Sequence, residues 1–290
     1  MIPPKFEYYA PTSVEDAVDL LDRFEGEAKV LAGGQSLLPL LKLRLAEPKA
    51  LIDLNRIPNL AYLREEGDLL KIGALTRTND LNDSDLIRSR YPIFADAAAV
   101  IADPLVRNLG TVGGNVSHGD PANDLPACMI ALGAKYIVRG SHGNRTVSAD
   151  QFYVDTFATA LEPNEVLVEI QIPRTKAGQG SAYVKLEKRA GDFPIAGVAV
   201  SLVESRGKVE AAGMGLTAVG PTVIRAKEAE GALAGHAPDE ATFRHAADLA
   251  RKAAKPVSDL RGPAEYKASM VAVLARRALQ AAHGRAQGGR

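Results

Sequence analysis

The stretch from Thr111 to Pro126 (TVGGNVSHGDPANDLP) gathers residue types that can bind a small polar ligand. Its adjacent glycines, Gly113 and Gly114, lack Cβ atoms, so their backbone can take a positive φ angle and approach a ligand closely. Their N–H groups, with those of Asn115 and Val116, could form a nest that receives an anion. This composition argues against a helix interior or a buried strand and predicts a functional loop.

A second glycine pair, Gly33 and Gly34, stands near the N-terminus within Ala32–Ser36 (AGGQS). The hydrophobic pattern places this pair between a predicted strand at 28–31 and a predicted helix at 37–45. At such a junction the first helical N–H groups lack partners and the helix dipole favours a phosphate. The pattern matches neither the Walker A motif nor the Rossmann GxGxxG motif. Taken alone, a tight strand–helix turn that binds nothing is an equally good interpretation.

The alternative for the stretch 111–126 is a polar surface loop without a ligand. Its flanks are apolar, with a predicted buried helix at 92–101 before it and the run LPACM at its end, and a loop anchored in the core is typical of a functional one. We therefore expect the two glycine loops to face each other across one dinucleotide. Asp124 is the carboxylate best placed to accept hydrogen bonds from ribose or ribityl hydroxyls, although it could equally cap the helix predicted from Pro126.

The other reactive side chains form no recognisable catalytic or metal-binding group. His118 has no cysteine or carboxylate pair at metal-binding spacing, so a structural or solvent-facing role is favoured over that of a base or ligand. Cys128 lies in an apolar run and is expected to be a buried small hydrophobe. Lys185 should point away from the strand face of Val184 and Leu186, and the residues alone favour a solvated lysine. No catalytic residue and no metal site are expected in this chain.

Composition narrows the class of protein. The chain has 290 residues, 46% hydrophobic and 24% charged, which predicts two or three globular domains. Basic and acidic residues number 35 each, so net charge gives no argument for nucleic acid or an anionic membrane surface. The single cysteine excludes an intrachain disulfide and an iron–sulfur cluster held by this chain alone, because a cluster needs about four thiolates. No apolar stretch approaches the about 20 residues of a transmembrane helix, and no signal sequence is evident, so the cytoplasm is the expected compartment.

The order of predicted elements indicates an α+β fold. Strands and helices alternate as β-α-β-α-β over residues 1–55, and a hairpin, helices and the second glycine loop fill residues 56–174. The polar segment Thr175–Gly180 is expected to be a domain boundary. Residues 178–284 then show antiparallel strands, one pair joined by a hairpin turn, followed by three predicted helices. Residues 285–290 are expected to be a disordered tail.

Four sequence blocks, in this order, resemble a known family: AGGQSLLPLLKLRLAEP, TVGGNVSHGDPANDLPA, KLEKRAGDFPIAGVAV and SDLRGPAEYKASMVAVLARRAL. Together they cover nearly the whole chain and are similar to the FAD-binding medium subunit of bacterial molybdenum hydroxylases. That group contains aerobic carbon monoxide dehydrogenase and is homologous to the flavin domain of xanthine dehydrogenase. The resemblance implies a two-subdomain FAD-binding fold of the vanillyl-alcohol-oxidase (PCMH) type, followed by a C-terminal antiparallel sheet with helices.

The resemblance also implies which residues contact the cofactor. Backbone N–H groups of the two loops would hold the pyrophosphate, and they belong to Ala32, Gly33, Gly34, Gln35, Ser36, Thr111, Val112, Gly113, Gly114 and Asn115. Ile101 and Leu167 match positions that pack on the cofactor. Asp124 matches an acidic residue that contacts FAD, and Lys185 a lysine near the flavin. Phe193 stands where relatives often carry a tyrosine beside the isoalloxazine ring, so stacking or gating is retained and a hydroxyl is lost. Gln35 replaces a common histidine.

In that family a large molybdopterin subunit oxidises the substrate, and a small subunit relays electrons through two [2Fe–2S] clusters. The resemblance therefore implies a chain that collects these electrons on FAD and passes them to an external acceptor, within a dimer of heterotrimers (a heterohexamer). Two alternatives remain open. One is a stand-alone flavin oxidoreductase acting on its own small substrate, and the other is a scaffold module that kept the fold but lost FAD.

Overall fold

The computed structural model describes residues 2–288, and its N-terminal part contains a parallel sheet. The elements of this part are β1 (Glu7–Tyr9), α1 (Val14–Arg23), β2 (Ala28–Leu31), α2 (Leu37–Lys42) and β3 (Ala50–Asp53). The strands lie in the order β1-β3-β2, with both pairings parallel. Ser13 caps α1, since its side chain accepts a hydrogen bond from the N–H of Asp16. Because β2 and β3 are parallel, the segments that follow them leave the sheet side by side.

The central part is an antiparallel sheet covered by helices. A 3-10 turn (Leu54–Arg56) directly after β3 closes the N-terminal part, and the elements of the central part are β4 (Leu63–Glu66), β5 (Leu69–Gly73), α3 (Thr78–Asp83), α4 (Asp85–Arg90), α5 (Pro92–Val100), α6 (Pro104–Leu109), α7 (Val112–Ser117), α8 (Asp124–Ala131), β6 (Lys135–Gly140), β7 (Gly143–Ser148), α9 (Ala149–Phe152), β8 (Tyr153–Asp155), β9 (Ala158–Thr159) and β10 (Val166–Pro173). The sheet order is β4-β5-β10-β6-β7. Phe94 of α5 and Met129 of α8 join Ile72, Tyr136 and Ile170 of the sheet in one buried cluster.

The C-terminal part is a second antiparallel sheet with helices on both faces. Its elements are β11 (Gln179–Leu186), β12 (Ala196–Ser205), β13 (Lys208–Thr217), β14 (Ile224–Arg225), α10 (Lys227–Leu233), α11 (Glu240–Ala253) and α12 (Ala264–Ala286), with strand order β11-β12-β13-β14. Residues of α10, α11 and α12 share a buried cluster with one sheet face. Over residues 2–288, no helix combines the length and apolar character needed to cross a membrane.

Helix α8 packs against the second sheet through glycines of β13. A Cβ built on Gly213 would lie 2.0 Å from the carbonyl oxygen of Ala131, and one built on Gly215 would lie 2.2 Å from that of Ala127. Only a residue without a side chain allows so close an approach of helix and strand. α8 is buried along its whole length, in the central cluster on one side and against β13 on the other. It therefore joins the central and C-terminal parts of the molecule.

Helix α2 ends at Lys42, earlier than the predicted 45. The backbone of Leu43 forms the C-cap, and Arg44 takes a positive φ angle of 58°. A residue in the left-handed region cannot continue a right-handed helix, so the chain leaves the helix here.

The last helix runs further than expected. α12 continues to Ala286, so the prediction of a disordered tail over 285–290 is wrong at its start. The side chain of Arg285 explains this difference, because its guanidinium donates to both carboxylate oxygens of Asp96 at 2.6 and 2.9 Å. This bidentate pair fastens the helix end to α5. Residues 289–290 lie outside the described part of the chain.

Candidate functional site

The first glycine segment lies between β2 and α2, as predicted. Gly34 takes a φ angle of +75°, which residues with a side chain rarely adopt. The Gln35 side chain folds back, and its Nε2 donates to the carbonyl oxygen of Gly33 at 3.1 Å. Within residues 2–288, the backbone N–H groups of residues 33–36 donate to no protein acceptor. Unpaired donors at the start of a helix are suited to a phosphate or pyrophosphate.

The second segment differs from its prediction, because its glycines lie in the first turn of α7. Thr111 caps this helix, and its Oγ1 accepts a hydrogen bond from the N–H of Gly114 at 3.1 Å. The N–H groups of Val112 and Gly113 donate at 2.8 and 2.9 Å to carbonyl oxygens of the segment that follows β5. The N–H of Asn115 donates to the Thr111 carbonyl oxygen at 2.9 Å. Neither glycine has a positive φ, so the expected nest is wrong: the helix and its neighbour already use most of these donors.

The two glycine segments nevertheless face each other. A Cβ built on Gly33 would lie 2.2 Å from the carbonyl oxygen of Leu109, two residues before Thr111. A Cβ built on Gly114 would lie 3.7 Å from the Cβ of Ala32. The structure therefore brings together backbone segments that the sequence separates widely, at the junction of the N-terminal and central sheets.

The Asn115 side chain offers an unsatisfied acceptor beside these glycines. Its Oδ1 is buried and has no hydrogen-bond partner among the described residues. Its backbone carbonyl, by contrast, accepts a hydrogen bond from Nδ2 of Asn123 at 2.8 Å. Buried amide oxygens are rarely left without a donor in native proteins. A hydroxyl or N–H group of a bound ligand would satisfy this oxygen, so the site fits a polar molecule such as a dinucleotide.

Asp124, the first residue of α8, is buried in a polar cluster and does not cap the helix, since Asn123 occupies the N-cap position. Its Oδ1 accepts a hydrogen bond from the Tyr183 hydroxyl at 2.5 Å and lies 3.4 Å from Nζ of Lys185. Burial raises the pKa of the Asp124 carboxyl from 3.8 to about 6, although Lys185 and Tyr183 act in the opposite direction. The pKa of the Asp124 carboxyl therefore lies closer to neutral pH than that of an exposed aspartate.

Lys185 is not the solvated strand lysine that the residues alone favoured, because its side chain is only 2% exposed. Its Nζ donates to the carbonyl oxygen of Val100 at 2.7 Å and to that of Asp192 at 3.0 Å. Glu187 lies 3.1 Å away as a second acidic partner. The strand face that carries Lys185 is therefore covered by the end of α5, and Lys185 fastens the segment around Asp192 to it.

The three predicted apolar contacts occupy different positions. Leu167 is buried in β10, within the central cluster, and Ile101 packs against that cluster directly after α5. Phe193 is 46% exposed, and the Arg261 guanidinium carbon lies 5.7 Å from the centre of its ring. Lys185 connects the second and third of these positions. Its two carbonyl acceptors, in Val100 and Asp192, immediately precede Ile101 and Phe193 in the chain.

His118 and Cys128 take the structural roles that the sequence predicted. The His118 ring packs on Phe157 with ring centres 5.2 Å apart, and burial lowers the pKa of His118, with Asp120 opposing that effect. Cys128 is buried, and burial raises the pKa of its thiol well above the ordinary value. Among the described residues, no group of three or more His, Cys, Asp and Glu side chains is placed to hold a metal ion.

Three residues near these segments were not predicted as site residues from the sequence. Tyr183 stands two positions before Lys185, so strand alternation puts both on one face, and this signal could have found it. Asn55 and Arg77 closely follow strands β3 and β5, and their side chains contact the backbone of Ala32 in the first glycine segment and of Leu109, two residues before the second. No local sequence pattern distinguishes them from ordinary loop residues.

Comparison with known proteins decides the family. The family model described as the FAD binding domain in molybdopterin dehydrogenase matches residues 4–175. The chain belongs to this family of FAD-binding medium subunits. A second model, described as the CO dehydrogenase flavoprotein C-terminal domain, matches residues 181–282. The resemblance seen in the four sequence blocks is confirmed, and with it FAD as the cofactor of this oxidoreductase subunit.

Relatives share almost the whole chain. The carbon monoxide dehydrogenase medium chain of Hydrogenophaga pseudoflava is 48% identical over 285 residues, covering 98% of this chain and 99% of its own. The 6-hydroxypseudooxynicotine dehydrogenase complex subunit alpha of Paenarthrobacter nicotinovorans is 37% identical over 288 residues, covering 99% and 97%. By name, the first relative is the medium chain of a dehydrogenase and the second is a subunit of a dehydrogenase complex.

Solved structures of the family have the same fold. A carbon monoxide dehydrogenase chain from Hydrogenophaga pseudoflava superposes with a TM-score of 0.96 at 50% identity, covering 98% of this chain and 99% of that one. A chain of quinoline 2-oxidoreductase from Pseudomonas putida 86 gives a TM-score of 0.91 at 33% identity, covering 99% of both. The predicted α+β fold with its C-terminal antiparallel sheet is confirmed.

Proposed function

We propose that this chain is the electron-transfer subunit of a molybdenum hydroxylase complex. In this proposal, [2Fe–2S] clusters of a partner subunit deliver electrons to FAD on this chain, and an external acceptor takes them away. The observation that carries the proposal is the pair of facing glycine segments, the first of which has unpaired N–H groups. The nearby ionisable side chains, Asp124 and Lys185, are buried and paired, which supports a role in cofactor placement rather than in acid–base chemistry on a substrate.

The pyrophosphate of FAD would bind between the glycine segments. Backbone N–H groups of residues 32–36 would donate to its oxygens, and the exposed Gly114 would face it from the start of α7. Thr111, Val112 and Gly113 would act mainly by fixing that helix end, since their hydrogen bonds lie within the protein. Bound FAD would supply the electron-accepting and electron-donating chemistry, and the chain would supply its position and electrostatic environment.

The flavin end would lie toward the polar cluster of α8 and β11. Ile101 and Leu167 would pack on the cofactor, and the amide oxygen of Asn115 would receive a hydrogen bond from it. Lys185 would place a positive charge near the ring while holding the segment that carries Phe193. Phe193 is exposed enough to stack on the ring or to control access to it.

The partner chains would be a large molybdopterin subunit and a small [2Fe–2S] subunit, assembled as a dimer of heterotrimers in the cytoplasm. Support comes from relatives whose names describe medium chains or complex subunits. We also propose the domain division 1–55, 56–174 and 178–284. Limited proteolysis is expected to cut first between residues 174 and 178, because that segment links β10 of the central sheet to β11 of the C-terminal sheet.

Co-purification tests the proposal. A tagged chain expressed with its partner genes is expected to retain FAD, molybdenum and iron, and the complex is expected to reduce a dye when given its substrate. Carbon monoxide is the first substrate to test, because carbon monoxide dehydrogenase medium chains are close relatives. Nicotine-like N-heterocycles are the second, and purines and aldehydes follow.

The isolated chain provides the control. With FAD bound but without partner chains, it is expected to stay oxidised in the presence of each substrate. Reduction of the isolated chain by a substrate would instead support a stand-alone flavin oxidoreductase. A colourless chain that takes up no added FAD would support a scaffold module and contradict the proposal.

A further inference from the structure

The two glycine segments belong to different parts of the molecule, the N-terminal and the central part. Contacts between these parts must therefore set the distance between the segments. A Cβ built on Gly114 would lie 3.7 Å from the Cβ of Ala32, and the backbone around Gly33 closely approaches the carbonyl oxygen of Leu109. Beside this approach, the Arg77 guanidinium donates through Nη1 to the same Leu109 carbonyl at 2.6 Å. Its Nη2 donates to Oδ1 of Asn55 at 2.9 Å. Arg77 thus connects the second segment to a residue of the N-terminal part.

Asn55 completes the connection to the first segment. Its Nδ2 donates to the carbonyl oxygen of Ala32 at 2.8 Å and to Oδ1 of Asp53 at 2.6 Å. Its backbone N–H also donates to Oδ1 of Asp53 at 2.9 Å. Asp53 ends β3 and pairs with Leu31 of the parallel strand β2, so Asn55 is anchored directly beside the first segment. A continuous chain of hydrogen bonds runs from Leu109 through Arg77 and Asn55 to Ala32.

The backbone of Arg77 is itself fixed to the second segment. Arg77 and Thr111 form an antiparallel β-bridge. Its flanking hydrogen bonds join the Thr78 N–H to the Gly110 carbonyl at 2.9 Å and the Val112 N–H to the Thr76 carbonyl at 2.8 Å. Arg77 therefore moves with the start of α7, and only its side chain reaches across to the N-terminal part.

We propose that Asn55 and Arg77 form a brace that sets the spacing of the two glycine segments and thereby orders both for the FAD pyrophosphate. Both are positioning residues, because their side-chain hydrogen bonds are to backbone carbonyls, to the Asp53 carboxylate and to each other. Arginine suits this role, since its planar guanidinium can bind two acceptors in fixed directions, whereas a lysine ammonium has no such geometry. The inference rests on the proposed FAD site, and it adds which side chains keep the two glycine segments at the distance that FAD binding requires.

Binding of FAD to the purified apo-chain tests the brace. The variants are Asn55→Ala, Arg77→Ala, Arg77→Lys and the double variant Asn55→Ala/Arg77→Ala. Arg56→Ala is the matched control, because Arg56 is an exposed arginine beside Asn55 whose side chain makes no hydrogen bond among the described residues. The measurements are the FAD dissociation constant from quenching of flavin fluorescence and the melting temperature of each apo-chain.

Each alanine variant is expected to raise the FAD dissociation constant about tenfold, the ratio that about 1.4 kcal/mol produces. The apo melting temperature should change little, because neither side chain lies in a hydrophobic cluster. The double variant should bind FAD about as weakly as the weaker single variant, since both changes break the same connection. Arg77→Lys should give an intermediate dissociation constant, and Arg56→Ala that of the wild type.

Several results would overturn the brace while leaving the proposed function intact. One is an equal FAD dissociation constant for wild type, Asn55→Ala and Arg77→Ala. Another is a wild-type dissociation constant in Arg77→Lys, which would mean that the positive charge alone matters. Weaker binding that only parallels a loss of apo stability would equally reject it, since the residues would then support the fold and not the site. If the wild-type apo-chain itself fails to bind FAD, the proposed function fails, which is a separate and recognisable outcome.

Discussion

Single buried side chains set the electrostatics of the proposed flavin end. Asp124 and Lys185 lie on different elements, and each is nearly excluded from solvent. Tyr183 donates to the same carboxylate, so the charge of Asp124 is shared between a cation and a hydroxyl. Burying a charge is unfavourable unless partners compensate for the lost water, and this balance makes the cluster sensitive to pH and to substitution.

Replacing Asp124 with asparagine should remove a pH dependence of stability. The folded-state pKa of about 6 lies above the ordinary 3.8, so the folded chain binds the Asp124 proton more tightly than the unfolded chain does. The wild type should therefore lose stability relative to Asp124→Asn as pH rises, mostly between pH 3.8 and 6, by about 3 kcal/mol between the fully protonated and the fully ionised limits. Urea unfolding of both chains across this range measures the difference. A constant difference would contradict the assignment.

Replacing Lys185 with methionine should make the bound flavin harder to reduce. The substitution keeps much of the side-chain volume but removes a positive charge from the proposed flavin end, so the two-electron midpoint potential should fall by on the order of 30 mV. Dye-equilibrated redox titration of the FAD-loaded chain measures this value. Lys188→Met is the control, because Lys188 is exposed on the same polypeptide segment. Equal potentials in the wild type and Lys185→Met would contradict an electrostatic role.

At the scale of elements, close backbone approach explains one of the glycines that composition alone assigned to ligand binding. Gly113 is buried where α7 meets the segment after β5, and a Cβ there would lie 2.6 Å from the carbonyl oxygen of Ala74. Gly114, its neighbour, is exposed and faces Ala32. One glycine of the pair therefore serves helix packing, and the other is available to a ligand.

Gly113→Ala should destabilise the chain, because the new methyl group must displace the Ala74 backbone. The expected loss is about 1–3 kcal/mol of unfolding free energy, as for other overpacked interior sites. Gly231→Ala is the matched control, since no atom lies within 4 Å of a Cβ built at that position in α10. That change should preserve stability or raise it by about 0.5–1 kcal/mol. Urea denaturation compares the two, and equal effects would show that the close approach to Ala74 is not limiting.

At the scale of the whole molecule, contacts between distant segments unite the N-terminal, central and C-terminal parts. Helix α8 lies between two sheets, and the Asn55–Arg77 brace joins the first part to the second. The Arg285–Asp96 pair joins the C-terminal end of α12 to α5 of the central part. Each connection brings together residues that lie far apart in sequence.

Arg285→Ala should loosen the end of α12. The loss of a charge-assisted bidentate pair, with side chains about one quarter exposed, should lower the unfolding free energy by about 1.5–3 kcal/mol. Arg277→Ala is the control, because Arg277 is an exposed arginine of the same helix. A double-mutant cycle with Asp96→Asn isolates the pair, and a coupling energy near zero would contradict its role. Hydrogen exchange of the last turn should increase in Arg285→Ala and not in Arg277→Ala.

The sequence by itself determined the α+β class, the glycine pair before α2, the buried cysteine and the family. These properties depend on local composition, on periodicity and on motifs whose order along the chain is preserved. Even the facing of the two glycine segments could be expected, because a shared ligand requires it. The sequence could not show that Thr111 caps a helix, since glycines and polar residues also form a short helix when a neighbouring segment accepts their N–H groups.

Only the tertiary structure decided which groups are free and which are already paired. It buried Lys185 beneath α5, ordered the chain to Ala286 through Arg285, and placed Arg77 against Asn55. Each outcome depends on contacts between segments tens of residues apart, which local patterns do not encode. A hydrogen bond requires a donor and an acceptor in contact, and burial depends on all the atoms around a side chain. Both can therefore be assigned only once the fold has brought these distant segments together.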